Sequence, residues 1–122
     1  MKLSALRICV DDLDVAREFY RGTLGLPLPF DGAASGYLVF DGGGVRVILE
    51  PVSRDASAEE RALVGRFVGA SFEVDDIRQT YERLSGLGVR FVAPPERQEW
   101  GGTLATFLDP SGNQLQLVQY GT

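Results

Sequence analysis

The chain has 122 residues, the size of one domain and enough to bury a single hydrophobic core. Hydrophobic residues make up 44% and charged residues 24% of the sequence, which argues against a disordered or fibrous chain. The net charge of −5, from 12 basic and 17 acidic side chains, argues against nucleic acid or an anionic lipid surface as a partner.

Missing and rare residue types narrow the chemistry further. The sequence has no histidine, which excludes a His-based metal site and a catalytic triad with His as its base, while an oxygen-only site for a hard cation stays open. Cys9 is the single cysteine, which fits a reducing compartment. No apolar run approaches the ~20 residues of a membrane span, and the N-terminal residues lack the pattern of a secretory signal. We therefore expect a cytoplasmic protein without membrane contact.

The first half of the chain, residues 1–51, is predicted to fold as a β-α-β-β-β module. Residues 5–10 alternate apolar and polar side chains, as one strand of a half-buried sheet does. Asp11 and Asp12 can cap a helix over about 13–23, which stops at the Leu24-Gly25 pair. Three further strands complete the module: one around Leu28, one at 37–41 and one at 45–50, the last two joined by Gly42-Gly43-Gly44.

The same order of elements returns in residues 67–122. A strand ends at Asp75-Asp76, which can cap a helix over about 77–87 that stops at Gly88. The remaining strands are predicted at 89–92, 103–108 and 114–119, the last two joined by the turn residues 109–113. Residues 52–66 are predicted to be a surface connection with one short helix at 57–64.

Each helix is expected to cover one face of its sheet, so that pairing the two modules encloses the opposite faces as a cavity. We therefore predict an α+β fold in which two βαβββ modules form a cup-shaped mixed sheet. The side chains on the open faces become the candidate ligand-binding residues. These are Arg7 and Cys9 on the first strand, Ile48 and Glu50 on the fourth, Ser71 and Glu73 on the fifth, and Gln116 on the last.

Two kinds of side chain stand out among the candidates. Arg7 interrupts an apolar strand, and its guanidinium either anchors an anionic ligand group or forms an ion pair with Glu50 or Glu73. Trp100 lies in a polar segment just before a strand, where it stacks on a ligand, covers the core or contacts a dimer partner. Tyr37, at the start of a strand, is a weaker candidate of the same kind.

The other candidates have two interpretations each. Glu50 and Glu73 act as a general base if desolvation raises the pKa of the carboxyl, or they pair with arginine or lie in solvent. Cys9 is a nucleophile or a buried inert thiol, and no His or Lys activates it in the sequence. Gln116 hydrogen-bonds a ligand or only its neighbours.

Three stretches together resemble the vicinal-oxygen-chelate superfamily: CVDDLDVAREFYRGTLGL, FEVDDIRQTYERLSGLGV and WGGTLATFLDPSGNQLQLVQ. That superfamily includes glyoxalase I, extradiol dioxygenases, fosfomycin-resistance proteins and bleomycin-resistance proteins. The turn at 109–113 followed by an alternating strand is the most specific part, and the resemblance covers nearly the whole chain. It implies paired βαβββ modules and, commonly, a homodimer.

The resemblance also implies where metal ligands would stand, at one position on each of four strands. Those positions hold Ala5, Gly69, Gln116 and either Ile48 or Glu50. Alanine and glycine supply no ligand atom, and a neutral amide is a poor ligand for a divalent ion. We therefore expect no metal cofactor, which puts in doubt the lyase and dioxygenase reactions that use the ion.

The resulting expectation is a metal-independent small-molecule-binding protein resembling bleomycin-resistance proteins, without a cofactor. Its ligand would carry an aromatic or apolar part, together with an anionic group for Arg7. The alternative is a lyase or isomerase that uses Glu50 or Glu73 as a base, or an atypical metal site. A third possibility is a dimeric interaction module without a ligand.

Overall fold

The computed structural model describes residues 1–121, and in it the chain forms two four-stranded mixed sheets with short helices. The predicted α+β fold and its two modules are confirmed. By its contacts the chain divides into two compact units. The first unit comprises Met1–Arg66 and Pro110–Asn113, and the second comprises Phe67–Asp109 and the residues from Gln114 onward.

The first unit contains one sheet with the strand order β1-β4-β3-β2. Strands β1 and β4 run parallel, and the other neighbours are antiparallel. Its elements are β1 (Ala5–Val10), α1 (Leu13–Arg17), a π-helical continuation (Glu18–Thr23), β2 (Phe30–Gly32), a 3₁₀ turn (Ala33–Ser35), β3 (Tyr37–Asp41), β4 (Arg46–Pro51) and α2 (Ala58–Arg61).

Alternation along these strands sorts the side chains into two faces. Every second residue is buried with the helix residues Ala16 and Tyr20. The buried strand residues are Ile8, Val10, Leu38, Phe40, Val47 and Leu49. The residues between them form the open face of the sheet, which is partly or largely exposed.

The second unit repeats this plan with the strand order β5-β8-β7-β6. Its elements are β5 (Phe67–Glu73), α3 (Ile77–Gly86), β6 (Arg90–Arg97), β7 (Thr103–Leu108) and β8 (Gln114–Gln119). The buried face includes Ala105, Phe107, Leu115 and Leu117, together with Ile77 and Leu84 of the helix. Within residues 1–121, no helix combines the length and the apolar composition that crossing a membrane requires.

Several predicted bounds need correction. The second strand lies at Phe30–Gly32 rather than around Leu28, because the prolines at 27 and 29 have no N–H to donate to a ladder. Strand β6 extends through two prolines to Arg97, with two register shifts against β7. The predicted helix over 13–23 changes from α to π geometry after Arg17.

The two Asp-Asp pairs do not act as uniform caps. Asp12 accepts hydrogen bonds from the N–H groups of Asp14 and Val15, and Asp76 accepts one from Gln79, as predicted. Asp11 instead forms an ion pair with Arg61, 2.7 Å from the guanidinium nitrogen. Asp11 therefore binds the connecting segment, through Arg61, and does not cap the helix.

Candidate functional site

The open face of the first sheet carries a row of side chains that crosses all four strands. Arg7 of β1 is paired in register with Ile48 of β4, Ile48 with Val39 of β3, and Val39 with Phe30 of β2. Residues paired in register stand side by side on one face of a sheet. The row therefore begins with a cation, continues over two aliphatic side chains and ends at an aromatic ring.

Arg7 is held by a carboxylate on the neighbouring strand. Its Nε lies 3.0 Å from Oε1 of Glu50, and the two side chains are 70% and 42% exposed. An ion pair as exposed as this contributes little to stability. The guanidinium is thus oriented by Glu50 while it stays open to solvent, and the structure brings together two of the predicted site residues.

Cys9 lies opposite Glu50 in the register of β1 and β4 and also forms an isolated bridge with Val64. Burial raises the pKa of the Cys9 thiol, and the negative charge of Glu50 raises it further. The positive charge of Arg66 acts in the opposite direction. The thiol is therefore held in its protonated, poorly nucleophilic form, which favours the interpretation of Cys9 as an inert residue.

The aromatic end of the row is a pair of rings. The centroids of Phe30 and Tyr37 lie 5.6 Å apart with an interplanar angle of 32°. A Cβ added to Gly32 would come within 2.7 Å of the Phe30 ring and 3.0 Å of the Tyr37 ring, so the absence of a side chain lets both rings close over the backbone. Phe30 remains 51% exposed.

The open face of the second unit presents a row of neutral polar groups. Ser71 is paired with Gln116, and Gln116 with Thr106, across β5, β8 and β7. The Ser71 hydroxyl donates to Oε1 of Gln116 at 3.2 Å, and Nε2 of Gln116 donates to the Thr106 hydroxyl at 3.2 Å. Each partner keeps further hydrogen-bonding capacity that a ligand can use.

Glu73 and Trp100 lie elsewhere in the second unit. Glu73 is exposed and paired in register with Val118. Trp100 stands at the tip of the β6–β7 hairpin, closed by hydrogen bonds between Gln98 and the glycines at 101 and 102. Its ring lies over Gly102, where a Cβ would collide with the indole, and 6.0 Å from the ring of Tyr120.

The side chains at the positions where the resemblance implies metal ligands do not suit a divalent ion, whichever of Ile48 and Glu50 stands at the fourth position. Ala5 supplies no donor, and Gly69 sits at a register shift of β5 with φ +79° and has no side chain. Glu50 holds Arg7, and Gln116 is hydrogen-bonded on both sides. Across the part of the chain that the structure describes, residues 1–121, no three His, Cys, Asp or Glu side chains are grouped as metal ligands require.

Analysis of the sequence missed several residues of these faces. Phe30 was missed because its strand was placed around Leu28, and Thr106 because its role depends on the register of β7 against β8. Tyr120 follows the last strand and gave no pattern signal. The prolines at 27 and 29 were the one available indication that the second strand begins later.

Comparisons with known proteins agree with this architecture. The sequence pattern of the Glyoxalase/Bleomycin resistance protein/Dioxygenase superfamily matches residues 2–117. The uncharacterized protein YraH of Bacillus subtilis (strain 168) is 32% identical over 126 residues, 98% of either chain.

Two solved structures have the same fold. One is a member of this superfamily from Sphaerobacter thermophilus, with a TM-score of 0.79, 30% identity, and coverage of 98% of this chain and 97% of the other. The second is TnmS3, an antibiotic binding protein from Streptomyces sp. CB03234, with a TM-score of 0.74, 25% identity, and coverage of 99% and 97%. The chain belongs to the glyoxalase/bleomycin-resistance/dioxygenase superfamily.

Proposed function

We propose that the protein binds a small organic molecule without a metal ion and without catalysing a reaction on it. The observation that supports this proposal is that both polar side chains among the implied ion-ligand positions, Glu50 and Gln116, are engaged by neighbouring side chains. Glu50 is paired with Arg7, and Gln116 with Ser71 and Thr106. A side chain engaged by its own neighbours is not free to converge with others on an ion.

The exposed aromatic rings support binding of a ligand with a flat apolar part. Phe30, paired with Tyr37 in the first unit, and both rings of the Trp100–Tyr120 pair in the second keep large exposed faces. Such rings gain from stacking on another aromatic group. Arg7, Cys9, Ile48 and Glu50 on one open face are the proposed ligand-contacting residues of the first unit.

The sharper form of this proposal is sequestration of an antibiotic. TnmS3, which is described as an antibiotic binding protein, has the same fold over nearly the whole chain. In the second unit, Ser71, Glu73, Trp100 and Gln116 are the proposed ligand-contacting residues. The superfamily resemblance also supports a homodimer, and the single cysteine supports a cytoplasmic location.

The test compares ligand and metal effects on the same preparation. Protein dialysed against a chelator is melted with a panel of aromatic antibiotics and metabolites, with and without added Zn²⁺, Ni²⁺ or Mn²⁺. A ligand of the folded state at about 100 times its Kd stabilises the protein by about 2.7 kcal/mol and raises Tm, and we expect this shift without metal.

Two results would overturn the proposal. One is a tightly bound equivalent of metal per chain that supports turnover of a panel compound, which would favour the lyase or isomerase alternative. The other is a panel that never raises Tm, which would favour an interaction module. Light scattering of the eluted protein tests the homodimer separately.

A further inference from the structure

We propose that the row Arg7–Ile48–Val39–Phe30 is a linear binding site for an elongated ligand with a carboxylate at one end and an aromatic ring at the other. This inference rests on the proposed binding function and names the chemical class of the ligand. It also gives the separation of the ligand's two ends, because the register of the four strands fixes the order of the groups that meet it.

The length of the site follows from sheet geometry. The row crosses from β1 to β2 over three neighbouring strand pairs. Three inter-strand spacings amount to about 14 Å between the backbone positions of its ends. A ligand that contacts both ends must therefore be extended, and a short aromatic acid reaches only one of them.

The cationic end is suited to a carboxylate. Glu50 contacts Arg7 through Nε, at 3.0 Å. That contact does not compete with an end-on approach of a carboxylate to the two Nη atoms, which gives two parallel charge-assisted hydrogen bonds. Glu50 thus orients the guanidinium, and the 70% exposure of the Arg7 side chain leaves room for the ligand.

The remaining positions of the row are apolar. Ile48 and Val39 are each partly exposed on the open face, and they lack any polar side-chain atom. An aliphatic chain laid over them removes apolar surface from water at about 25 cal/mol per Å². At the far end, Phe30 backed by Tyr37 offers an exposed ring for an edge-to-face or offset contact.

The test uses acids of stepped length. Calorimetric titration of the full chain is performed with phenylacetate, phenylbutyrate, phenylhexanoate and phenyloctanoate, each with its terminal ring, and with the corresponding primary amides. We expect Arg7→Gln to weaken phenyloctanoate about tenfold, as the loss of a hydrogen bond to a charged group implies, and to leave its amide nearly unchanged.

The variant Phe30→Ala distinguishes a site that contacts both ends of the ligand from an apolar surface that binds any aromatic acid. Phe30→Ala should weaken phenyloctanoate about fivefold and leave phenylacetate unchanged, since the ring of the short acid does not reach β2. Arg46→Gln is the matched control for Arg7→Gln. Arg46 lies on the same face of the sheet, in the neighbouring row with Ala5 and Asp41. Its effect should stay within about twofold, as for an exposed charge.

The variant Glu50→Gln tests whether the ion pair of Arg7 with Glu50 has only a structural role. If Arg7 binds the carboxylate directly, Glu50→Gln keeps or strengthens the binding of phenyloctanoate, whereas loss of binding in that variant contradicts the inference. An equal effect of Phe30→Ala on all four acids also contradicts it. Should none of the acids bind while an antibiotic of the earlier panel does, this inference fails and the proposed function stands. Should nothing in either panel bind, both fail.

Discussion

Asn113 is completely buried and serves three main-chain groups of the first unit. Its Oδ1 accepts hydrogen bonds from the N–H groups of Gly65 at 2.9 Å and Arg66 at 3.3 Å. Its Nδ2 donates to the carbonyl of Cys9 at 2.8 Å. One side chain therefore fastens the end of the connecting segment to strand β1.

Replacing the Asn113 side chain should destabilise the first unit. Asn113→Ala leaves main-chain groups without partners in a buried place, and we expect it to lower the free energy of unfolding by about 2–4 kcal/mol. Urea denaturation measures the loss. The exposed Gln79→Ala is the control and should change stability by less than about 0.5 kcal/mol. A loss below 1 kcal/mol for Asn113→Ala would show that water replaces the amide without difficulty.

Cys9 gives a residue-level prediction about reactivity. Because burial and the charge of Glu50 raise the pKa of its thiol, we expect slower alkylation than for free cysteine and a reaction midpoint at higher pH. Glu50→Gln should move that midpoint to lower pH, and Arg66→Gln should move it to higher pH. The readout is the midpoint of the pH–rate profile with iodoacetamide, which a change in access alone does not shift. Glu73→Gln should leave it unmoved.

At the scale of elements, Arg17 joins α1 to the short strand β2. Its Nε and Nη2 reach the two carboxylate oxygens of Asp31 at 2.9 and 3.2 Å, and its Nη1 contacts Asp14 at 2.7 Å. The hydrogen bonds from Arg17, and then the one from the N–H of Ala33, hold the pKa of Asp31 below its ordinary value of 3.8. The proton therefore binds the unfolded chain more readily than the folded one.

This pairing sets the sign of an acid dependence. A carboxyl with a lowered pKa contributes stability that is fully present above the ordinary value, and that is lost as the pH falls below it. We expect Arg17→Gln to reduce the loss of stability between about pH 6 and pH 3, measured as Tm across that range. In the Arg17→Gln background, adding Asp31→Asn should remove a further, smaller part of the pH dependence, because the hydrogen bond from the N–H of Ala33 still lowers the pKa of Asp31 there. If the fall in Tm with pH is the same in Arg17→Gln as in the unchanged protein, a group other than Asp31 is responsible for it.

The sequence predicts an element well where local signals agree. Strands β3, β7 and β8 have the predicted bounds because alternation and a glycine- or proline-containing turn coincide there. The helix starts at Asp12 and Asp76 follow from capping chemistry alone. Where prolines interrupt the alternation, just before β2 and within β6, the predicted strand bounds differ from those of the structure.

The contacts of the candidate site are harder to predict from the sequence than the bounds of the strands. The ion pair of Arg7 with Glu50 was one of two predicted alternatives, and only the register of β1 against β4 selects it. The hydrogen bonds of Gln116 likewise depend on which residues of β5 and β7 stand beside it. A sequence gives the face of a strand by period, but the cross-strand neighbour depends on long-range pairing.

At the scale of the whole molecule, the chain enters the second unit at Phe67, returns to the first with Pro110–Asn113 and leaves it again at Gln114. A fragment of residues 1–66 therefore lacks Ser111 and Asn113, which bond to the main chain at Asp11 and Cys9. We expect this fragment to show no cooperative unfolding transition by circular dichroism, and mixing with residues 67–122 to restore one. A fragment that melts like the full chain would refute this dependence.

The contacts of Asn113 also bear on how such a protein can evolve. All three of its partners given above are main-chain groups, so the identities of residues 9 and 66 do not affect the bonds it forms there. Gly65 is different, because its φ of +78° favours glycine. We therefore expect hybrids recombined between relatives at the junction of the two halves to keep these bonds as long as Gly65, Ser111 and Asn113 are inherited, while deleting the second half removes the two side chains that anchor the first.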